Sequence, residues 1–373
     1  MRRLVLVGGG HAHAQVIDDW MRRPIEGVEL WVVSSESSSP YSGMVPGWLA
    51  GLYAYEDICI DIAALCVRAN AVFIKDDMDG LNPADRQVSL RSGLKVDYDV
   101  LSLDVGSTLY PPTLEQGRVL PLRPLAQLRG RWEQMLSALS SEEATAPLHI
   151  IGAGGGAAGF ESLLALRRRL AAQGRPRSVD ATLITASSRL LPGLAPGAVR
   201  RATAVLRDRA IALRVNTAFD ETLAPKGSVV LWAAGAQAHR WQRACGVALS
   251  ASGYFLIDGY LRSISHPEVF AAGDCAEWET PLPKAGVYAV RMGPVLSRNL
   301  RAALGPGRLQ SYKPQRRHLV LLSTADGSAI ASRGSLSASG VWAWRWKDYL
   351  DRRFLRRFEG PRRTISEPLR QKG

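Results

Sequence analysis

Cysteine is scarce in this chain of 373 residues, and its four copies have no spacing suited to metal or redox work. Cys59, Cys66, Cys245 and Cys275 form neither a Cys-x-x-Cys pair nor a zinc pattern, which argues against a structural zinc centre and a thioredoxin-type dithiol. A reduced, cytoplasmic protein is the simplest reading. No apolar run approaches the roughly 20 residues that cross a bilayer. Met1-Arg2-Arg3 leads straight into a strand-like run, leaving no room for the apolar region and cleavage site of a signal peptide. Acidic residues are also outnumbered: 34 Asp and Glu face 47 Lys and Arg, a formal charge of +13. That surplus suits a polyanion or an anionic membrane surface, and net charge does not choose between them. The composition, 46% hydrophobic and 22% charged, is that of a globular protein with two domains and an extension, large enough to bury a planar cofactor.

The stretch that organises the chain is Val269-Phe270-Ala271-Ala272-Gly273-Asp274, an apolar run that stops on a glycine and an acid. Gly273 lets a ligand approach the backbone closely, and Asp274 at the tip accepts a hydrogen bond from a sugar hydroxyl. Such a tip needs a pyrophosphate-binding partner. Leu4 to Val7 runs into Gly8-Gly9-Gly10-His11-Ala12-His13 and then a helical stretch from Ala14 to Met21. Gly8 and Gly10 allow the tight turn and the close approach of pyrophosphate to a helix N-terminus that begins at His11 and Ala12. The third glycine position holds His13 instead. His11 and His13 admit a metal or proton-transfer reading beside the plainer one of packing around the loop; no third ligand is evident. After a second strand, Val28 to Val33, Glu36 is the candidate acid for an adenosine ribose.

A second unit repeats the first. Leu148 to Ile151 leads into a complete Gly-x-Gly-x-x-Gly at Gly154, Gly156 and Gly159, in strand-loop-helix context. Its next strand, Ala181 to Ile184, ends without an acid, and Arg189 is the first basic residue beyond it, so the fold of a nicotinamide unit is expected while its occupancy stays open. Pro111, Pro112, Pro121 and Pro124 mark the crossover between the units. A helix is expected from Lys284 to Leu300, and short strands follow, at His318 to Leu322 and Ser328 to Arg333. Beyond them Trp342, Trp346, Leu350, Phe354 and Phe358 form a drifting helical stripe interrupted by Arg353 and Arg357. Docking on the chain's own first glycine-loop unit, an interfacial membrane helix and a polyanion contact all fit that stripe, docking being favoured.

The Phe270 to Asp274 tip, the Asp97-Tyr98-Asp99 strand leading to Gly106-Ser107 and the two glycine loops resemble the pyridine nucleotide-disulfide oxidoreductase superfamily, especially type II NADH dehydrogenases and sulfide:quinone oxidoreductases. More narrowly, Gly8 to His13, Pro40-Tyr41-Ser42-Gly43-Met44, Pro283 to Arg291 and Trp344 to Asp348 look like the FAD-dependent module found fused to selenide, water dikinase. Here the module is expected to stand alone, because the chain ends at Gly373. The resemblance implies an α/β fold of two interleaved Rossmann-like domains with a small C-terminal α+β domain. Its expected limits are 1–113 and 239–311 for FAD, 114–238 for NAD(P) and 312–373 for the C-terminal part. It implies an FAD site drawing on Gly8, Gly10, His11, Ala12, Glu36, Gly106, Gly273, Asp274 and Ala285, where the helix N-terminus points at the flavin pyrimidine ring. NADH or NADPH would meet Gly154, Gly156 and Gly159. Glu161 matches an acid that passes protons near the flavin in the quinone reductases, its alternative being to cap its own helix. Lys284 either adds a charge near the pyrimidine ring or is a solvated lysine.

The departures are specific. True disulfide reductases carry a Cys-x4-Cys pair in the window of Pro40 to Gly47, and this chain has no cysteine there; the persulfide-carrying cysteines of the sulfide enzymes are missing too. The expected activity passes electrons from NAD(P)H through FAD to a second acceptor such as a quinone. The alternative is a sulfide- or selenide-linked flavoprotein, or a module that docks on selenide, water dikinase without NAD(P)H turnover. Peripheral contact with the inner membrane face is expected through the C-terminal helix, and a nucleic-acid partner is not.

Overall fold

The computed structural model describes residues 1–141, 147–172, 178–315 and 317–360. Two five-stranded parallel sheets repeat one plan. In the first unit β1 (Arg2–Val7) is followed by helix α1 (His11–Arg22), β2 (Val28–Ser34), β3 (Val72–Lys75) and β4 (Val100–Leu103). In the second, β5 (Gly117–Pro121) and α2 (Leu128–Ser141) lead to β6 (Leu148–Ala153), α3 (Ala157–Ala172), β7 (Val179–Ile184), α4 (Pro196–Asp208), β8 (Ile211–Arg214) and β9 (Ser228–Trp232). The chain then returns to the first sheet through β10 (Val269–Ala271), so the orders are β10-β4-β1-β2-β3 and β5-β9-β6-β7-β8. The central strands are near-continuous apolar runs because helices cover both faces, as parallel sheets require. All four residues of β4 are buried.

The strands read from the sequence at Leu4 to Val7, Val28 to Val33, Leu148 to Ile151 and Ala181 to Ile184 agree with the structure to within two residues at each end. The last flavin-unit helix, α5, spans Gly286–Leu304 and packs along α1. It starts two residues later than expected, because Ala285 is extended and serves as the N-cap. Among the described residues no helix is long and apolar enough to cross a membrane.

The C-terminal part is a three-stranded antiparallel sheet, β11 (Val320–Ser323), β12 (Ala329–Arg333) and β13 (Leu336–Gly340), followed by α6 (Val341–Leu355). The aromatic stripe read along α6 divides between two faces. Phe354 and Phe358 are buried, whereas Trp342 is 50% exposed and Trp346 and Tyr349 accompany it. The buried face carries Lys347 and Asp351 as well. Phe354 packs tilted against Tyr41 at 4.8 Å and meets His11 edge-on at 6.2 Å, while Tyr53 hydrogen-bonds Asp348 at 2.6 Å. The helix is thus docked on the first unit, and each buried aromatic side chain contributes about 2 kcal/mol to holding it there.

Candidate functional site

Register brings the two ends of the flavin motif together. Val7 pairs with Val33 and with Leu103, and Leu103 pairs with Ala271, so Gly8, Ser34, Asp104 and Ala272 lie one step beyond the same edge of the sheet. This is the carboxyl edge of parallel strands, where ligands of open α/β sheets bind. Gly8 takes a left-handed φ of 101°, and a Cβ there would stand 2.3 Å from the Asp104 carbonyl oxygen, so the turn requires glycine. Gly273, with Asp274 after it, closes the other side. A Cβ on Gly10 or Gly273 would lie 2.1 to 2.5 Å from the Asp104 carboxylate.

Asp104 is the residue that sequence reasoning missed. Its side chain, 4% exposed, reaches the N-terminus of α1, where Oδ2 accepts from the Ala12 and His13 amides at 2.9 and 3.3 Å. Helix dipole and donors favour an anion there, yet burial, with Asp274 adding to it, pushes this carboxyl up to about 7. The signal in the sequence was an acid placed just before Gly106 at the end of an apolar strand.

The histidines are buried and neutral, each held near 4 chiefly by loss of hydration. His13 Nδ1–H donates to the Gly8 carbonyl at 2.7 Å, which leaves Nε2 to accept from the Ser102 hydroxyl at 2.8 Å. His11 Nε2 accepts from the Ser42 amide at 3.4 Å, and its ring edges onto Tyr41 at 5.2 Å. Both rings therefore fasten the glycine loop to its surroundings.

A dinucleotide fits this frame. Among the described residues the amides of Gly9, Gly10 and His11 have no partner, so Asp104 takes the inner helix donors and leaves the outer ones for phosphate. Gly106, at φ 68°, has nothing within 4 Å of a built Cβ, which keeps the backbone open at the end of β4. Glu36 stands two residues past β2, paired with Lys75 at 3.3 Å. At the tip, the Arg123 guanidinium bridges Asp274 and Ser107. Arg123 comes from the crossover, which sequence reading treated only as a linker.

Ala285 caps α5 beside this edge, and a Cβ on Gly286 would stand 2.5 Å from Ser42 Oγ. Lys284 turns elsewhere: its ammonium donates to the Ala276 carbonyl at 2.9 Å, lies 3.3 Å from Glu277 and sits 3.5 Å over the Tyr254 ring. Burial lowers its pKa. Lys284 is neither solvated nor in contact with the first glycine loop.

The second loop repeats the register. Gly154, at φ 123°, takes the Ile184 carbonyl at 2.8 Å as Gly8 takes Val33, and Ala233 bonds Ala153 at 2.8 Å as Asp104 bonds Val7 at 2.9 Å. Gly156 faces open space, and a Cβ on Gly159 would fall 1.9 Å from the Gly154 carbonyl oxygen. Glu161, two residues on and 8% exposed, does not cap α3. Its Oε1 accepts from the Ser323 amide of β11 at 2.6 Å, and burial pushes its carboxyl up to about 7, opposed by Lys347.

The thiols are inert. Cys66, Cys245 and Cys275 are buried with pKa values raised to about 12, and Cys59 is held at about 11, all chiefly by desolvation.

The model of the pyridine nucleotide-disulphide oxidoreductase family matches residues 2–293. A sulfide-quinone reductase of Aquifex aeolicus is 26% identical over 111 residues, 29% of this chain and 25% of that protein's length. The chain superposes on the crystal structure of the sulfide:quinone oxidoreductase from Aquifex aeolicus with a TM-score of 0.76 at 17% identity, covering 96% of this chain and 91% of the other. NDH2 of Plasmodium falciparum, solved with NADH, gives 0.75 at 10% identity, covering 94% and 97%. These likenesses establish a shared fold. FAD, with NADH or NADPH as pyridine nucleotide, is the cofactor set consistent with it. The chain belongs to the pyridine nucleotide-disulphide oxidoreductase family.

Proposed function

We propose that this oxidoreductase passes electrons from NAD(P)H through FAD to a second acceptor such as a quinone. The observation that carries the reading is the pair of glycine loops in matching register, one beside the Gly273-Asp274 tip and one with an open helix N-terminus, without a reactive thiol near either. The amides of Gly9, Gly10 and His11 would hold the FAD pyrophosphate, and the Arg123–Asp274 pair would meet its ribityl hydroxyls. FAD supplies the hydride-accepting chemistry; the protein orients it and excludes water. The nicotinamide nucleotide uses Gly154, Gly156 and Gly159, and Glu161 holds a proton between the units.

Buried, protonated thiols oppose a persulfide relay, which leaves the sulfide- and selenide-linked alternative without a carrier residue. The second reading, a docking module, is favoured by the exposed Trp342, Trp346 and Tyr349 face, which suits an interfacial membrane or a protein partner. Domain limits at 113, 238 and 311 belong to the same proposal.

Steady-state oxidation of NADH and NADPH with a soluble quinone tests the main reading. Quinone-dependent turnover supports it. FAD that stays bound without turnover by either nucleotide supports the docking module instead, with Trp342→Ser plus Trp346→Ser then expected to abolish vesicle or partner binding.

A further inference from the structure

A cleft of about 570 Å³ lies along α1 and α5, and no residue placed in either nucleotide site lines it. Its shape begins with Pro294 inside α5. Proline has no N–H, so the Val290 carbonyl one turn back has no helical donor. The Gln15 side chain of α1 replaces that donor, giving one N–H to Val290 at 2.7 Å and the other to the His11 carbonyl at 3.2 Å. With its nitrogen so engaged, the Gln15 oxygen accepts from the Arg357 guanidinium at 3.2 Å and holds that cation on one wall. Another wall is pinned by buried Asn299 of α5, whose side chain exchanges two hydrogen bonds with the Gln310 backbone, at 2.7 and 2.9 Å.

Three exposed cations line the cleft: Arg291, Lys313 and Arg357. Among the described residues Arg291 and Lys313 form no ion pair, and the carboxylate near Arg357, Asp18 at 3.8 Å, is already held by Arg22 at 2.7 Å. The Arg291 charge acts on Tyr312, which is 7% exposed and stacked on Trp278 at 5.6 Å. The Tyr312 hydroxyl is buried and has no hydrogen-bond partner among the described residues. Both features favour an anion: the cations gain charge-assisted hydrogen bonds, and the hydroxyl gains an acceptor. Val290, Pro294 and Val295 add apolar surface beside them.

We propose that this cleft binds a phosphate-bearing amphiphile. Its phosphate oxygens meet Arg291, Lys313, Arg357 and the Tyr312 hydroxyl, and its non-polar part lies against Val290, Pro294 and Val295. Three positive charges suit a phosphate better than a singly charged carboxylate, and the guanidinium fork matches phosphate oxygens in pairs. The site goes beyond the flavin reading and does not depend on it. Two sources carry this chemistry, a phospholipid headgroup and a soluble alkyl phosphate.

Calorimetry on the purified protein with hexyl phosphate tests the site, with inorganic phosphate and hexanol as controls for the two halves of the ligand. Hexyl phosphate should bind more tightly than either control and more weakly as salt is added. Arg291→Ala with Lys313→Ala should weaken it by about 100-fold and leave the flavin spectrum unchanged. Tyr312→Phe keeps the ring on Trp278 and loses the hydroxyl. Affinity should then fall about 5-fold while the melting temperature of the ligand-free protein holds or rises, because an unpaired buried group has been removed. A merely structural residue would lower the melting temperature instead. Sedimentation with phosphatidylglycerol vesicles, against phosphatidylcholine vesicles, separates the sources. Vesicle binding that the double variant loses assigns a lipid headgroup; hexyl phosphate binding that it loses, without vesicle binding, assigns a soluble ligand; either supports the proposal. If neither probe binds, or if the double variant binds both as tightly as the wild type, the proposal is wrong.

Discussion

The two glycine loops share a backbone and differ in their charges. Gly8 corresponds to Gly154, His13 to Gly159, Glu36 to Ser187 and Asp104 to Ala233, as the matching strand-end hydrogen bonds show. In the first loop the chain supplies its own anion to the helix amides, and a histidine ring occupies the space where the second helix packs directly on its strand. In the second, a methyl group stands at the position of the carboxylate, and among the described residues no side chain accepts from the first amides of α3. The difference suggests that the first site is assembled permanently around a resident ligand, whereas the second keeps its helix dipole free for a ligand that comes and goes.

The sharpest way to break the comparison is at the glycines. Gly10→Ala drives a methyl group into the Asp104 carboxylate and should weaken FAD binding by more than about 100-fold, seen as loss of flavin absorbance on gel filtration. Adding Asp104→Ala should restore part of it, because the obstruction is a side chain. Gly159→Ala meets a backbone carbonyl instead, so no partner substitution should rescue the NAD(P)H response while FAD stays bound.

Ala233→Asp would make the second loop resemble the first. A carboxylate beside the α3 amides should weaken NADH binding by about 10-fold, measured by calorimetry, and leave the flavin spectrum unchanged.

Asp104→Asn is a gentler test, read in thermal unfolding of the flavin-free protein. The folded Asp104 carboxyl titrates at about 7 against 3.8 in a free chain, so the native state binds the proton more tightly. Its contribution to stability therefore falls as pH rises from about 4 to about 7 and is level above that. The variant should lose that part of the pH slope and keep the part that Glu161 contributes in the same direction.

Ser187→Glu, which places an acid where the first unit has Glu36, should have the smallest effect. NADH affinity should rise several-fold and NADPH affinity fall, about 1 kcal/mol each, as competition titrations would show.

Much of this architecture was legible in the chain. Apolar runs ending on Gly8, Gly154 and Gly273 mark strand ends because those backbones allow positive φ or close approach, and both properties are written locally. Asp104 was not legible as a helix cap because its partners, Ala12 and His13, lie 92 and 91 residues away. Arg123 was hidden in a proline-rich crossover for the same reason. In the sequence the aromatic stripe is interrupted by Arg353 and Arg357, and nothing marks Lys347 and Asp351, which the docking of α6 turns into a buried pair. Lys284, read as a cation near the cofactor ring or as a solvated lysine, is held by Glu277 and the Tyr254 ring with Asp274 acting on it too, contacts that no local pattern announces.

The most direct measurement is an anaerobic absorbance titration of the purified protein with NADH and then NADPH, reading the flavin band before and after a soluble quinone is added. The account predicts rapid bleaching by one of the nucleotides and recovery of the oxidised band on addition of quinone. A flavin that stays oxidised with both nucleotides at millimolar concentration, yet bleaches on photoreduction, would contradict it and show that the second loop does not deliver a hydride.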